Sequence, residues 1–315
     1  MYRFFPPLTK IKFIAVCVAW FSLAAPSAHA WSQAGHMMAA RIAFQQLSPG
    51  ARRAASDILA AHPEMGQWRK YVRFAPPGEE DCFLFMRAST WPDEINRPPG
   101  VSPYAHPAWH YIDYPLQPPG FPFIAGRELE DNVLFGLAQS SKTLRDPAAT
   151  PEARAAALSW VIHLVADLHQ PLHCAELVTK DYPLPQGDRG GNLFFISVGG
   201  QAMNLHSFWD RLPGQATHPD QAFAPAAELA RRYPAASLPE LQTAKDTAAW
   251  TLEGRTLAIE KAYERGTLPG TADRNAQPPP LPDGYVGRSR EVAERRIALA
   301  GYRLGRLLEE LLTQR

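Results

Sequence analysis

The chain has 315 residues, 46% of them hydrophobic, with 32 Lys and Arg against 31 Asp and Glu. That is an ordinary globular composition, with apolar material for one large core or two modest ones. A charge this close to neutral argues against a nucleic-acid binder that works through a lysine-rich surface.

Residues 1–30 read as a secretory signal peptide. Arg3, Lys10 and Lys12 form a basic start, residues 13–25 an apolar run too short to span a bilayer comfortably, and Ala28-His29-Ala30 a small-x-small cleavage site. The mature chain is then expected to begin at Trp31. Without the leader, 29 basic residues face 31 acidic ones, a net charge of −2. If such a protein handles phosphates, the positive charge has to come mainly from metal ions. No later stretch is apolar enough for a membrane span, and no obligate protein partner is evident. Cys17 leaves with the leader. Cys82 and Cys174 remain, either as one disulfide or as two buried thiols. The chain has no Asn-x-Ser/Thr sequon, which fits a bacterial periplasmic or secreted protein better than a eukaryotic secreted one.

From Trp31 onward the sequence reads as helix almost at once. Ser48 and Pro49 open a second helix to about Ala61, as N-cap and first helical residue. Residues 66–122 are rich in Pro, Trp and Tyr without periodicity and read as long ordered loops. A helix is expected over 128–144. The next starts at Thr150-Pro151-Glu152, with apolar residues at helical spacing from Leu158 to Leu168. Pro171 then ends or bends it. Residues 183–192 are turn-rich, and 193–198 form the one convincing strand run, with Gly199-Gly200 as a hairpin turn. Three more helices are expected over 225–233, 239–265 and 289–312, with a surface loop over 266–287. The fold class is therefore mainly α: a single multi-helix domain over 31–315, with at most a small β-hairpin.

Ligand-type residues concentrate at 160–174, WVIHLVADLHQPLHC, where His163, Asp167, His169 and His173 lie within eleven residues. His163 and Asp167 are four apart and share a helix face. A buried carboxylate among Val, Ile and Leu is costly without a partner, and a metal ion is an economical one. A lone histidine on an apolar helix is more often a hydrogen-bonded core residue. Here the pattern repeats: His206 and Asp210 in NLHSFWDR form a second His-xxx-Asp pair, and Asp93, His110 and His36 add three further positions. His169 lies off the His163 face and reads as a structural hydrogen-bonder. His106 matches no ligand position, and His62 and His218 read as exposed.

In order along the chain, Trp31-x(4)-His36, WPDEI, WHYID, HLVADLHQPLH, GDRGGN and NLHSFWD look like the zinc-dependent single-strand nucleases of the mung-bean nuclease type, the 3′-nucleotidase/nuclease family. Zinc-dependent phospholipase C shares the trinuclear scaffold and is the nearest alternative. It typically has Glu as the last ligand, where this chain has Asp210.

The resemblance implies three zinc ions per chain. Asp93, His110, His163 and Asp167 would hold the first, and His173, His206 and Asp210 the second. The α-amino group and carbonyl of Trp31, with His36 and Asp167, would hold the third. Imidazole and carboxylate suit zinc, and three or four protein ligands per ion leave positions for water and substrate. An uncleaved leader would turn the Trp31 nitrogen into an amide and remove that ligand. The implied reaction is attack by a zinc-activated bridging hydroxide on phosphorus, with Asp93 and Asp167 as catalytic carboxylates. Single-stranded DNA and RNA would give 5′-phosphate products, and 3′-nucleotides would lose their phosphate. Tyr111 would stack on a base, Asp113 would accept from its edge, and Asn192 and Arg189 would lie near the scissile phosphate. One departure concerns the base site. The family usually has Arg three residues after the WPDEI aspartate, and here that place is Asn96, with Arg97 one later.

Overall fold

The structure is a computed structural model that describes residues 31–95, 102–117 and 131–313. The expected leader and the Asn96–Arg97 departure lie outside the described residues.

Helices α1 (Gln33–Gln46) and α2 (Pro49–Leu59) follow Trp31. Ser48 separates them: its Oγ accepts from Ala51 N, Pro49 takes the first helical turn, and Glu309 accepts from both the amide and the hydroxyl of Ser48. Three short helices come next, α3 (Met65–Trp68), α4 (Glu80–Ala88) and α5 (Trp91–Ile95). The sequence reading of this region as loops is therefore corrected. On α4, Cys82, Phe83, Phe85, Met86 and Ala88 are all buried, so apolar residues surround the helix and leave no 3.6-residue period to read.

Helix α6 (Val133–Arg145) is capped by Asn132, whose side chain accepts from the amides of Leu134 and Phe135. Helix α7 (Pro151–Asp167) starts as expected, with Thr150 Oγ1 accepting from Ala153 N. It is buried without interruption from Ala155 to Asp167, which makes it the central rod of the fold. Pro171 opens a 3-10 turn over Pro171–His173. Helices α8 (Leu205–Arg211), α9 (Pro219–Arg232), α10 (Glu240–Thr243), α11 (Thr247–Leu257) and α12 (Tyr285–Thr313) complete the described helices. The continuous helix expected over 239–265 is broken, because Asp246 caps a fresh start by accepting from Ala249 N. Helix α9 begins six residues before the expected start and carries Pro225 inside it.

Two small sheets complete the architecture. Strand β1 (Pro115–Leu116) pairs in parallel with β2 (Glu176–Leu177), and β3 (Phe195–Val198) pairs antiparallel with β4 (Gln201–Asn204). The second is the expected hairpin, turned by Gly199 and Gly200, both at positive φ. Among the described residues no helix is long and apolar enough to cross a membrane.

Cys82 and Cys174 are both buried free thiols, so the disulfide alternative is not realised. Each sulfur has its own neighbour: Arg41 donates to Cys82 Sγ, and Cys174 Sγ donates to Leu168 O. His62, expected to be exposed, is buried between rings: it stacks on Trp68 at 4.1 Å and meets Trp91 edge-on at 4.5 Å. His169 is structural, as expected. Its Nδ1 bonds to Val165 O, and its Nε2 faces an Arg303 guanidinium nitrogen at 2.9 Å. Arg303 and Arg296 of α12 both pair with Glu253 of α11, and Arg296 Nε donates to His169 O, tying the C-terminal helix to α11 and to the turn after α7.

Helices α1 and α12 cross backbone to backbone. A Cβ on Gly301 would lie 2.6 Å from Ile42 Cβ and 2.9 Å from Ala39 O. Gly301→Ala is expected to destabilise the fold by about 1–3 kcal/mol in denaturant titration. Unchanged stability would contradict a tight crossing.

Candidate metal centre

Helix α7 carries His163 and Asp167 one turn apart, both fully buried at 0% exposure. Around them the fold assembles residues from distant parts of the chain: His36 from α1, Asp93 from α5, and His110 from the 3-10 turn Pro107–His110. His163 Nε2 lies 3.2 Å from Asp167 Oδ2 and 3.6 Å from Asp93 Oδ1. His110 Nδ1 is 3.1 Å from Asp167 Oδ2 and 3.7 Å from Asp93 Oδ1. His36 Nε2 is 3.6 Å from Asp167 Oδ1, and its ring stacks on that of His163 at 4.0 Å. The third group, His173, His206 and Asp210, converges separately: the two rings stack at 5.0 Å, and His206 Nε2 is 3.6 Å from Asp210 Oδ2.

Three sets of donor atoms each fall within 4.8 Å of one another: His36, Asp93 and His163; His110, His163 and Asp167; and His173, His206 and Asp210. The first set joins His36 to Asp93 and His163, whereas the resemblance pairs it with Trp31 and Asp167. With His163 shared between two sets and Asp167 in contact with His36, the first two sets form one continuous cluster.

The histidines are held for ligation by backbone. His163 Nδ1 bonds to Ser89 O at 2.7 Å, His173 Nδ1 to His110 O at 2.6 Å, and His206 Nδ1 to Gly190 O at 2.7 Å. A carbonyl only accepts, so each Nδ1 carries a proton and Nε2 is the atom turned inward, the orientation of metal-bound histidines. The approach of Gly190 explains one glycine of GDRGGN. Its φ is +61°, and a Cβ there would lie 2.4 Å from Leu172 O.

Several buried donor atoms lack any hydrogen-bond partner: both ring nitrogens of His36, Asp167 Oδ1 and His173 Nε2. Buried polar atoms are rarely left so, and this donor set fits divalent cations. The charges say the same. Burial alone would push a proton off His163, yet Asp167 and Asp93 raise its pKa to about 9. Burial holds Asp210 well above the usual carboxylate range, with Asp93 and Asp167 adding to it and Gln170 opposing. The cluster therefore draws in positive charge.

Trp31 is fully buried beside these groups. Its indole Nε1 donates to Ala166 O at 3.1 Å, and Ser32 N donates to the backbone carbonyl of Asp210 at 2.8 Å. The start of the described chain is thus clamped between the two helices that carry Asp167 and Asp210. Tyr111 and Asp113 follow His110 and are half-buried. Burial, then Glu176 and Asp188, raise the Asp113 pKa well above its ordinary value, while Arg189 lowers it. Arg189 is exposed at φ +56°, and its carbonyl accepts from Asn192 Nδ2 at 2.9 Å. Tyr111, Asp113 and Arg189 are thus within electrostatic reach of one another, and Asn192 joins them through the Arg189 backbone.

Sequence reasoning missed Gln170. Its Oε1 accepts from Leu172 N at 2.6 Å, and its Nε2 donates to Asp210 Oδ1 at 2.9 Å, which leaves Asp210 Oδ2 turned toward His206. It stands inside the HQPLH motif, but an amide there carries no ligand chemistry to mark it.

A family description, the S1/P1 nucleases, matches residues 31–313. The chain belongs to the S1/P1 nuclease family. As a family member it is a nuclease. It is 22% identical to Nuclease S1 of Aspergillus oryzae over 75% of this chain and 82% of that protein. Endonuclease 1 of Arabidopsis thaliana is 26% identical over 59% of this chain and 54% of its own length. Nuclease P1 of Penicillium citrinum is 24% identical over 57% of each.

Donors left without partners in this S1/P1 chain lead to the expectation that its stability depends on cations. Chelation is expected to lower the melting temperature by about 5 °C or more, and zinc to restore it, in a thermal-shift pair. Indifference to both would contradict a cation-holding cluster.

Proposed function

We propose that the chain, processed to begin at Trp31 and exported to the periplasm or beyond, is a zinc-dependent phosphodiesterase. It would cleave single-stranded DNA and RNA to 5′-phosphate products and remove phosphate from 3′-nucleotides. The observation that carries this reading is the convergence of three His/Asp donor sets on a buried site with orphaned Nε2 and carboxylate atoms. Asp93, His110, His163 and Asp167 would hold one zinc ion and His173, His206 and Asp210 a second. The terminal amino group and carbonyl of Trp31, with His36 and Asp167, would hold a third. Bound zinc supplies Lewis acidity, a more acidic water and charge neutralisation at phosphorus.

The chain's own side chains set the geometry. Hydrolysis places a water oxygen on phosphorus and a proton on the departing O3′. Asp93 and Asp167 accept from the attacking water and align it. Tyr111 offers a ring face for an unstacked base, which favours single strands because a paired base is not free to stack there. Asp113, whose carboxyl pKa burial pushes well above its ordinary range, accepts from a base edge. Arg189 and Asn192 meet the phosphate side. The Trp31 ligand ties processing to activity, since an extended N-terminus has no free amine to offer.

The test is an assay of the chain starting at Trp31 on denatured DNA, RNA, 3′-AMP and phosphatidylcholine, with and without chelator. Chelator-sensitive release of 5′-nucleotides and of phosphate from 3′-AMP is expected, and the same chain with an N-terminal extension is expected to lose most of it. Cleavage of phosphatidylcholine without nucleotide release would overturn the reading in favour of a phospholipase.

A further inference from the structure

Residues 67–74, QWRKYVRF, form a rigid surface turn that the site description leaves unused. A run of i→i+3 hydrogen bonds fixes it: Lys70 N to Gln67 O, Tyr71 N to Trp68 O, Val72 N to Arg69 O, and Phe74 N to Tyr71 O. In 3-10 geometry positions three apart share a side. Tyr71 therefore lines up with Phe74, and Lys70 with Arg73. Tyr71 is 43% exposed and Phe74 51%, unusual for rings this close together in sequence. The Arg73 guanidinium lies 4.8 Å from the Phe74 ring centroid, and the exposed His218 ring is 5.8 Å from that of Tyr71. Arg69, Lys70 and Arg73 are all exposed. Among the described residues none of the three has a carboxylate within 4.0 Å, and the Lys70 ammonium donates only to Gln67 Oε1.

Three unpaired cations beside two exposed rings stand out on a chain whose residues 31–315 carry a net charge of −2. The turn is also braced toward the metal centre. Trp68 is buried and stacks on His62, which meets Trp91, two residues before Asp93. His218 immediately precedes α9, eight residues after Asp210.

We propose that this turn is a second contact for the substrate strand, holding single-stranded nucleic acid outside the cleavage site. Tyr71 and Phe74 offer ring faces to unstacked bases, and Arg69, Lys70 and Arg73 meet the backbone phosphates. An anionic membrane is the lesser fit: two rings on one short turn make a small apolar face, and membrane-surface segments bury a broad one. The inference rests on the nuclease reading above and adds a determinant that distinguishes long strands from mononucleotides.

The experiment compares the wild-type chain from Trp31 with Y71A/F74A and R69Q/K70Q/R73Q, on 3′-AMP and on a single strand of about 16 nucleotides. For the aromatic pair, KM on the strand is expected to rise about tenfold with kcat unchanged. For the charge triple, the log–log salt dependence of kcat/KM is expected to flatten by about 2. Turnover of 3′-AMP should stay at the wild-type level in both. Unaltered strand KM and salt slope with intact 3′-AMP turnover would overturn the strand contact and leave the nuclease reading standing. If the wild type turns over neither substrate, the nuclease reading fails. The contact is then read from fluorescence anisotropy with a phosphorothioate oligothymidylate, where equal binding by wild type and variants overturns it. Loss of binding to phosphatidylglycerol vesicles, with oligonucleotide binding unchanged, would also overturn it and assign the turn to a membrane.

Discussion

A carboxylate that no water can reach has to be met by positive charge or by hydrogen-bond donors, and Asp167 is such a carboxylate. It has no exposed surface, and its Oδ1 has no hydrogen-bond partner. Around it stand four imidazoles, from α1, the turn before Tyr111, α7 itself and the turn after it. Leaving that charge uncompensated would cost several kcal/mol. The elements that deliver the imidazoles are those whose packing defines the fold, so the electrostatic requirement and the architecture are one problem.

The solution uses backbone more than side chain. Three histidines direct Nε2 inward because a carbonyl holds their Nδ1 protons, and the carbonyls come from Ser89, His110 and Gly190. Each is a non-helical or helix-ending position, where a carbonyl is not consumed by an i+4 amide. The short helices and tight turns between α4 and β1, and the glycine-rich loop after β2, thus serve as second supports for a centre whose main post is α7. Gln170 does the same for Asp210 with a side-chain amide.

Much of the centre was legible in the sequence because metal ligands belong to few residue types and helix spacing orders them. His163 with Asp167 and His206 with Asp210 announce themselves as i,i+4 pairs; the first lies on the expected helix, the second on the short helix α8, which the sequence reading did not foresee. The caps at Ser48 and Thr150 and the Gly199-Gly200 turn were readable for a similar reason: a specific local geometry demands specific residues. Illegible were the elements without a pattern. Helix α4 is apolar nearly all round, and α10 and α11 are separated by a cap inside what reads as one run. His62 looked like an ordinary surface histidine because the two tryptophans that enclose it come from α3 and α5. The thiols of Cys82 and Cys174 could not be resolved from spacing, since pairing depends on tertiary proximity alone.

The central claim is that the charge around Asp167 is completed by three metal ions bound to these donors and to a free Trp31 amine. The most direct measurement is anomalous diffraction at the zinc edge from crystals of the chain processed to Trp31. Three peaks are expected: two around Asp167, one of them reaching Trp31 and His36, and a third between His173, His206 and Asp210. An ordered centre with no anomalous peak, or with one peak remote from Asp167, would contradict it.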